Sequence, residues 1–177
     1  MTNPPSLNNK FLAWHEAEKQ IQEEINWLKQ SIETFSNEEK YAPITCKECL
    51  LRRIAVLIVN GKSKTSEIEK DDKLKSFWME KGTANKIKIY HGQEWHSEKM
   101  ELIENHFIQQ GFSVDREPNL QFGRADLGVH KQGEADLFIE VGTTSLFKLW
   151  FNLEKMKNFV YLIVPNDNKL LEFRYEN

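Results

Sequence analysis

The segment GRADLGVHKQGEADLFIEVGTTS, residues 123–145, contains two short apolar runs that each include an acidic residue. Asp126 belongs to the first run, Glu140 lies near the end of the second, and Gln132–Gly133 between them is typical of a hairpin turn. Side chains alternate between the two faces of a strand. If the two runs form neighbouring strands, the pattern therefore predicts that both acids point to the same place.

Two carboxylates held close together repel each other unless a proton or a cation lies between them. Hard divalent ions prefer oxygen ligands, so the sequence predicts a Mg²⁺ or Mn²⁺ site at Asp126 and Glu140. Such an ion can activate a water molecule and stabilise the charge that develops on a phosphate. The simpler alternative is a structural salt bridge, in which Arg124 or a lysine neutralises the acids.

The segments around this pair have the patterns of an α/β domain. Residues 135–142 are apolar on both faces, which indicates a central strand. The order is helix, three strands, helix, strand, strand, which predicts a mixed sheet flanked by helices. The predicted helices cover 94–111 and 145–158, and the predicted strands cover 112–117, 124–131, 135–142, 159–166 and 169–176.

The N-terminal part of the chain has helical patterns. Apolar residues at alternating spacings of three and four predict a long helix over 8–36, and a second helix begins at 46 and ends at Gly61. We expect an antiparallel helical hairpin in which the apolar stripe of the first helix packs inside the chain; the alternatives are a dimer seam or the docking of a partner. Residues 61–75 are highly charged and are expected to form a surface loop or a short exposed helix.

Two domains are therefore expected, an N-terminal helical region over 1–85 and an α/β domain over 86–177, which opens with a short strand at 86–90. The net charge of −3 argues against a protein that coats nucleic acid without specificity. The N-terminus lacks the apolar region of a signal peptide, and the longest aliphatic run, 54–59, is too short to span a membrane. A cytoplasmic protein is expected.

The block of residues 92–165 resembles the core of the PD-(D/E)XK nuclease superfamily, including its resolvase-type and competence-associated members. The matching residues are Asp126 in RAD and Glu140 in IEVG, together with the preceding helix that ends in QQGFSV. The resemblance implies a restriction-endonuclease-like core that hydrolyses phosphodiester bonds with a metal ion. It also implies DNA rather than RNA as substrate, frequent dimers, and the backbone carbonyl of Val141 as a further metal ligand.

The motif differs from the superfamily pattern at its lysine, which is Gly142 here. Lys148 on the next helix is a candidate replacement, but it lies nearly opposite the apolar face of that helix. The sequence pattern therefore does not favour Lys148 as a site residue.

The helix at 94–111 supplies the remaining candidates. Its apolar stripe of Met100, Ile103 and Phe107 is extended by His96, whereas its glutamates fall on a face that we expect to be solvated. Some superfamily members use a helix histidine as a metal ligand, and a histidine favours Mn²⁺. The predicted metal ligands are His96, Asp126, Glu140 and Val141, and the predicted catalytic residues are His96, Glu117, Asp126 and Glu140.

Three other interpretations stay open at this point. The fold could be that of a catalytically inactive subunit, which keeps the nuclease architecture without the lysine and binds nucleic acid or a protein partner. His96 could simply be a histidine at the edge of the core, bonded to a carbonyl. Cys46 and Cys49 could be half of a zinc site completed by His91 and His96, which would withdraw His96 from the acidic pair.

Overall fold

The computed structural model describes residues 14–31, 46–67, 93–164 and 171–175 of the 177-residue chain. These residues form a mixed α/β fold with four helices and one six-stranded mixed sheet. The helices are α1 Trp14–Ser31, α2 Lys47–Val59, α3 Gln93–Gln109 and α4 Leu146–Lys155. The strands are β1 Ser63–Glu67, β2 Ser113–Arg116, β3 Leu127–His130, β4 Asp136–Val141, β5 Phe159–Val164 and β6 Leu171–Tyr175.

The sheet has the strand order β1-β6-β5-β4-β3-β2. Strands β2, β3 and β4 follow one another as antiparallel neighbours, β4 and β5 are parallel, and β6 and β1 continue the sheet in antiparallel pairs. Helix α4 makes the crossover between the two parallel strands, as a parallel pair requires. Strand β4, the apolar strand of the sequence pattern, is an interior strand, which confirms its predicted place.

Two hydrophobic clusters lie on opposite faces of the sheet, because alternate residues of β4 and β5 point to opposite sides. Phe138 and Tyr161 face α4 and the N-terminal helices, whereas Ile139 and Leu162 face α3. Helix α3 contributes the predicted stripe of Met100, Ile103 and Phe107 to the second cluster. Within the described ranges, none of the helices is both long and apolar enough to span a membrane.

The C-terminal elements appear in the predicted order, and Gly111, with a φ of 80°, follows the end of α3 as the sequence indicates. The expectation for residues 61–75 was wrong where the structure describes them, because Ser63–Glu67 forms the edge strand β1. Its sequence, SKTSE, has no apolar alternation. Charged residues are common on edge strands, because only one neighbouring strand covers them. The pairing with β6, and not an apolar pattern, makes Ser63–Glu67 a strand.

The predicted antiparallel hairpin is not what the described parts of α1 and α2 form. Glu16 pairs with Lys47 at 3.7 Å, and Glu24 pairs with Arg52 at 3.2 Å, so the contacts run in the same chain order on both helices. An antiparallel pair would reverse that order.

The N-terminal helices share a core with the sheet. Ile21, Ile25 and Leu28 of α1 pack with Ile54 of α2 in the cluster that also contains Leu149 of α4. The apolar stripe of α1 is therefore used inside the chain. The predicted domain boundary at 85/86 and the predicted strand at 86–90 lie outside the described residues, as do the two ends of the predicted first helix.

Replacing Ile54 by alanine tests this shared core. The side chain is fully buried, so we expect Ile54→Ala to lower the free energy of unfolding by about 2–5 kcal/mol. Because α2 packs on α4, far-ultraviolet circular dichroism and tryptophan fluorescence should report one coincident urea transition. Ile108→Ala, at a side chain that is 51% exposed, should change the free energy by less than about 0.5 kcal/mol. A separate early transition of helical signal alone would contradict the shared core.

Candidate functional site

A cleft with a volume of about 410 Å³ opens between the first turn of α3 and the carboxyl end of β4. It contains both acids of the sequence motif and the predicted histidine. The residues that line it are Gln93, Trp95, His96, Asp126, Glu140, Val141, Gly142 and Thr143. Of the predicted site residues, the structure therefore brings His96, Asp126, Glu140 and Val141 together.

The pairing of β3 with β4 sets the two acids opposite each other. Leu127 pairs with Ile139, and the backbone N–H of Asp126 donates to the Ile139 carbonyl at 3.0 Å. Continuing that register by one residue places Asp126 opposite Glu140. Residues directly opposite in an antiparallel pair have neighbouring side chains, so the strand alternation read from the sequence leads to the observed placement.

Both described partners of the Asp126 carboxylate contact the same oxygen. The backbone N–H of Val141 donates to Oδ2 at 2.6 Å, and His96 Nε2 lies 3.3 Å from that atom. The contact with Val141 ties Asp126 to the end of β4. Among the described residues, Oδ1 has no hydrogen-bond partner, and the side chain is 25% exposed at the cleft.

Glu140 is almost completely buried, with 4% of its surface exposed. Its Oε1 lies 2.6 Å from Lys148 Nζ and accepts a hydrogen bond of 2.6 Å from the Tyr161 hydroxyl. Burial raises the pKa of Glu140, and the negative charge of Asp126 raises it further, while Lys148 and Tyr161 oppose the rise. Its Oε2 has no hydrogen-bond partner among the described residues.

Lys148 is the site residue that the sequence pattern did not favour. It lies in the first turn of α4, after the N-cap Ser145, and its side chain is only 17% exposed. Side chains of a helix tilt toward its N-terminus. A residue in the first turn can therefore extend past the helix end, and Lys148 reaches Glu140 and the carbonyl of Arg124. A helical wheel describes the faces of a helix but not this reach beyond its end.

Tyr161 is the second residue that sequence reasoning missed. It lies in the apolar run of β5, where its ring belongs to the buried core, and only its hydroxyl is polar. Burial raises its pKa well above the usual range, and the charge of Glu140 adds to that effect. Tyr161 therefore stays protonated and acts as a hydrogen-bond donor. The strand alternation could have indicated this contact. Phe138 pairs with Tyr161, and Glu140, two residues after Phe138, lies on the same face of β4, so Tyr161 and Glu140 point to the same side of the sheet.

Glu117, predicted as an additional acid, is not in the cleft. It is exposed and its Oε2 lies 2.8 Å from Arg124 Nη1, with both side chains 61% exposed. Its φ of 51° turns the chain at the end of β2, so the side chain does not continue the strand alternation. Arg124 therefore neutralises Glu117 rather than Asp126. The glutamates of α3 at 94, 98 and 101 are exposed, as expected.

The donor set fits a Mg²⁺ or Mn²⁺ ion that takes only a few of its ligands from the protein. Within the described ranges, no group of three His, Cys, Asp or Glu side chains is arranged to hold a metal. Mg²⁺, however, is usually held by one or two carboxylates, with water and substrate phosphates completing the shell. Asp126 Oδ1 and Glu140 Oε2 are the two carboxylate oxygens left without a described partner, and the chain at Val141 lies beside them in the cleft.

The cysteines do not share a zinc site with His96. Cys46 is the N-cap of α2, and its sulfur accepts the backbone N–H of Cys49 at 3.3 Å. Helix α2 packs on the face of the sheet that α4 covers, whereas α3, which carries His96, packs on the other face. Burial raises the pKa of Cys49 to about 11, which favours the thiol over a metal-binding thiolate. His91 lies outside the described residues.

Tyr161→Phe should make the stability of the metal-free protein more sensitive to pH. A carboxyl group whose pKa is raised by folding costs nothing below its usual value of 4.5 and destabilises the fold as pH rises through its raised pKa. Removing the Tyr161 hydroxyl raises the pKa of Glu140 further. Urea unfolding in EDTA should therefore show a gap between wild type and variant that widens from pH 4 to pH 8. A gap independent of pH would mean that Tyr161 contributes packing alone.

Neither a protein-family model, nor a curated protein, nor a solved structure matches the chain.

Proposed function

We propose that the protein is a metal-dependent nuclease that hydrolyses phosphodiester bonds, with DNA as the preferred substrate. The observation that carries the proposal is the pair Asp126 and Glu140, set opposite each other at an open cleft with Lys148 in contact with Glu140. The resemblance of the motif to the PD-(D/E)XK superfamily favours DNA over RNA. The same resemblance, and not any contact of the described residues, favours a dimer.

Each side chain has a distinct part in this proposal. Asp126 and Glu140 would hold a Mg²⁺ or Mn²⁺ ion through their remaining oxygens, with the Val141 carbonyl and His96 as further donors. When bound, the ion activates the attacking water and offsets charge on the phosphate. Lys148 supplies a fixed positive charge from α4, in place of the motif lysine that Gly142 replaces. Tyr161 holds Glu140 Oε1, so that the orientation of the carboxylate is set before substrate arrives.

Cleavage of supercoiled plasmid tests this proposal. We expect cutting in Mg²⁺ or Mn²⁺ and none in EDTA. Asp126→Ala and Glu140→Ala should lower the rate by at least about 100-fold, since each removes charge at the reacting centre. Lys148→Gln keeps a donor to Glu140 but removes the positive charge, and should lower the rate by a similar factor.

The matched controls are exposed charged residues, one in the turn before β4 and one on α4. Glu134→Ala, at the turn that leads into β4, and Lys155→Gln, in the last turn of α4, should cut at the wild-type rate. A single-stranded circle and a structured RNA are tested in parallel. If no substrate is cut in either metal, or if the Asp126 and Glu140 variants cut as well as wild type, the proposed activity is wrong.

A second candidate is a catalytically inactive subunit of the same architecture, which binds nucleic acid or a protein partner. It is favoured by the contact of Lys148 with Glu140, which already neutralises one of the two acids without a metal. In that case the acids form a structural ion pair.

Thermal unfolding with Mn²⁺ separates the two candidates. At 100 times the dissociation constant, a bound ion stabilises the folded state by about 2.7 kcal/mol, which corresponds to roughly 5–11 °C in Tm for a chain of this size. We expect this rise in wild type and in Glu134→Gln, and its loss in Asp126→Asn. An unchanged Tm in wild type would favour the inactive subunit.

A further inference from the structure

An exposed aromatic side chain lies at the tip of the turn between β2 and β3, close to the candidate site. Phe122 is 44% exposed. The turn is closed by a bridge between Asn119 and Arg124, and by a hydrogen bond of 2.9 Å from the Leu120 N–H to the Gly123 carbonyl. Exposed turns are usually polar, so a large apolar ring at this position calls for a reason.

A buried amide holds this ring in place. Asn152 of α4 is fully buried, and both the oxygen and the nitrogen of its side-chain amide form hydrogen bonds with the backbone of Phe122. The Phe122 N–H donates to Asn152 Oδ1 at 3.0 Å, and Asn152 Nδ2 donates to the Phe122 carbonyl at 3.0 Å. A buried polar side chain is costly unless it is satisfied. Here it is satisfied by a turn, and the result is a fixed position for an exposed ring.

Phe122 is part of an aromatic patch that it forms with side chains of α4. Its ring centroid lies 4.8 Å from that of Phe147, with the ring planes at 81°, and 5.7 Å from that of Phe151. Phe147 also contacts Trp150, at 5.6 Å between centroids. All three neighbours are half-buried. We define these four side chains, Phe122, Phe147, Trp150 and Phe151, as the aromatic patch.

Positive charge connects the aromatic patch with the cleft. The side chain of Arg124, two residues after Phe122, is 61% exposed and pairs with the equally exposed Glu117. A surface ion pair of this kind is weak, so a phosphate can compete with Glu117 for the guanidinium. The Arg124 carbonyl accepts a hydrogen bond from Lys148, whose ammonium also contacts Glu140. The guanidinium of Arg53 lies 5.0 Å from the centre of the Trp150 ring. An exposed ring with an exposed guanidinium two residues away suits a ligand that has both flat apolar faces and negative charge.

We propose that the aromatic patch is a binding subsite for single-stranded nucleic acid, in which Phe122 stacks on an unpaired base of the strand. Stacking on aromatic side chains beside basic residues is the usual way to bind a single strand without reading its sequence. A base in a duplex has no free face, so the subsite discriminates against duplex. The proposal deepens the proposed nuclease function, because it assigns a single-stranded segment to the substrate beside the cleft.

Binding without cleavage tests the subsite. Fluorescence anisotropy in EDTA follows labelled oligo(dT) and oligo(rU) of about twelve nucleotides, within the usual range of single-strand site sizes, and a blunt duplex of the same length. We expect both single strands to bind more tightly than the duplex. Phe122→Ala should weaken single-strand binding by about 5- to 150-fold, the range for loss of one stacked base.

Two further variants separate stacking from simple apolar contact. Phe122→Leu keeps an apolar side chain against Phe147 but has no aromatic face, so it should bind as weakly as Phe122→Ala. Phe122→Trp should restore wild-type affinity. The matched control is Ile108→Ala. Ile108 is also an exposed apolar side chain but lies on α3, so this variant should leave binding unchanged.

Several outcomes would overturn the subsite. They are unchanged single-strand affinity in Phe122→Ala, wild-type affinity in Phe122→Leu, and equal affinity for duplex and single strand. A change from dimer to monomer in Phe122→Ala, measured by sedimentation, would assign the patch to a second copy of the chain. Because binding is measured without metal, loss of cutting in the plasmid assay leaves this result intact. Conversely, if the protein cuts DNA but Phe122→Ala binds single strands as tightly as wild type, the subsite is wrong and the proposed nuclease function stands.

Discussion

Burying a carboxylate removes its hydration, and the centre of this structure is arranged around the replacement of that hydration at Glu140. The replacing groups come from two other elements, the ammonium of Lys148 on α4 and the hydroxyl of Tyr161 on β5. The ammonium and the hydroxyl reach Glu140 only if β4, the crossover helix and β5 are in their observed register. The ion pair thus depends on the parallel βαβ unit, and any rearrangement of that unit leaves a buried charge without a partner.

Much of the C-terminal half could be predicted from the sequence, since its strands and helices have strong periodicities of two and 3.6. The same alternation placed Asp126 beside Glu140, and the α3 stripe placed His96 at the cleft. Strand β1 could not be predicted, because SKTSE has no apolar pattern and forms a strand only by pairing with β6. The relative direction of α1 and α2 was also out of reach, because an apolar stripe fixes which face is buried and not which way the partner runs.

The residues that the sequence missed at the site share one physical feature. Lys148 and Tyr161 reach Glu140 with the far ends of long side chains, while their Cα atoms belong to a helix turn and to a core strand. Periodicity describes where a Cα–Cβ bond points, and it says little about an ammonium or a hydroxyl several bonds away. Glu117 is the opposite case. A left-handed backbone at the end of β2 turns its side chain away from the direction that strand alternation predicts.

The position of the lysine also bears on how the cleft would accept a cation. Lys148 and Tyr161 both contact Oε1 of Glu140, and Val141 and His96 both contact Oδ2 of Asp126. The protein partners therefore occupy one oxygen of each acid. A divalent ion held by the other two oxygens would leave Lys148, Tyr161 and Val141 in place, whereas His96 would have to leave Oδ2 to become a ligand. The ammonium of Lys148 repels such an ion and weakens its binding. The same charge would attract the phosphate of a nucleic acid, so metal and substrate are expected to bind this site more tightly together than apart.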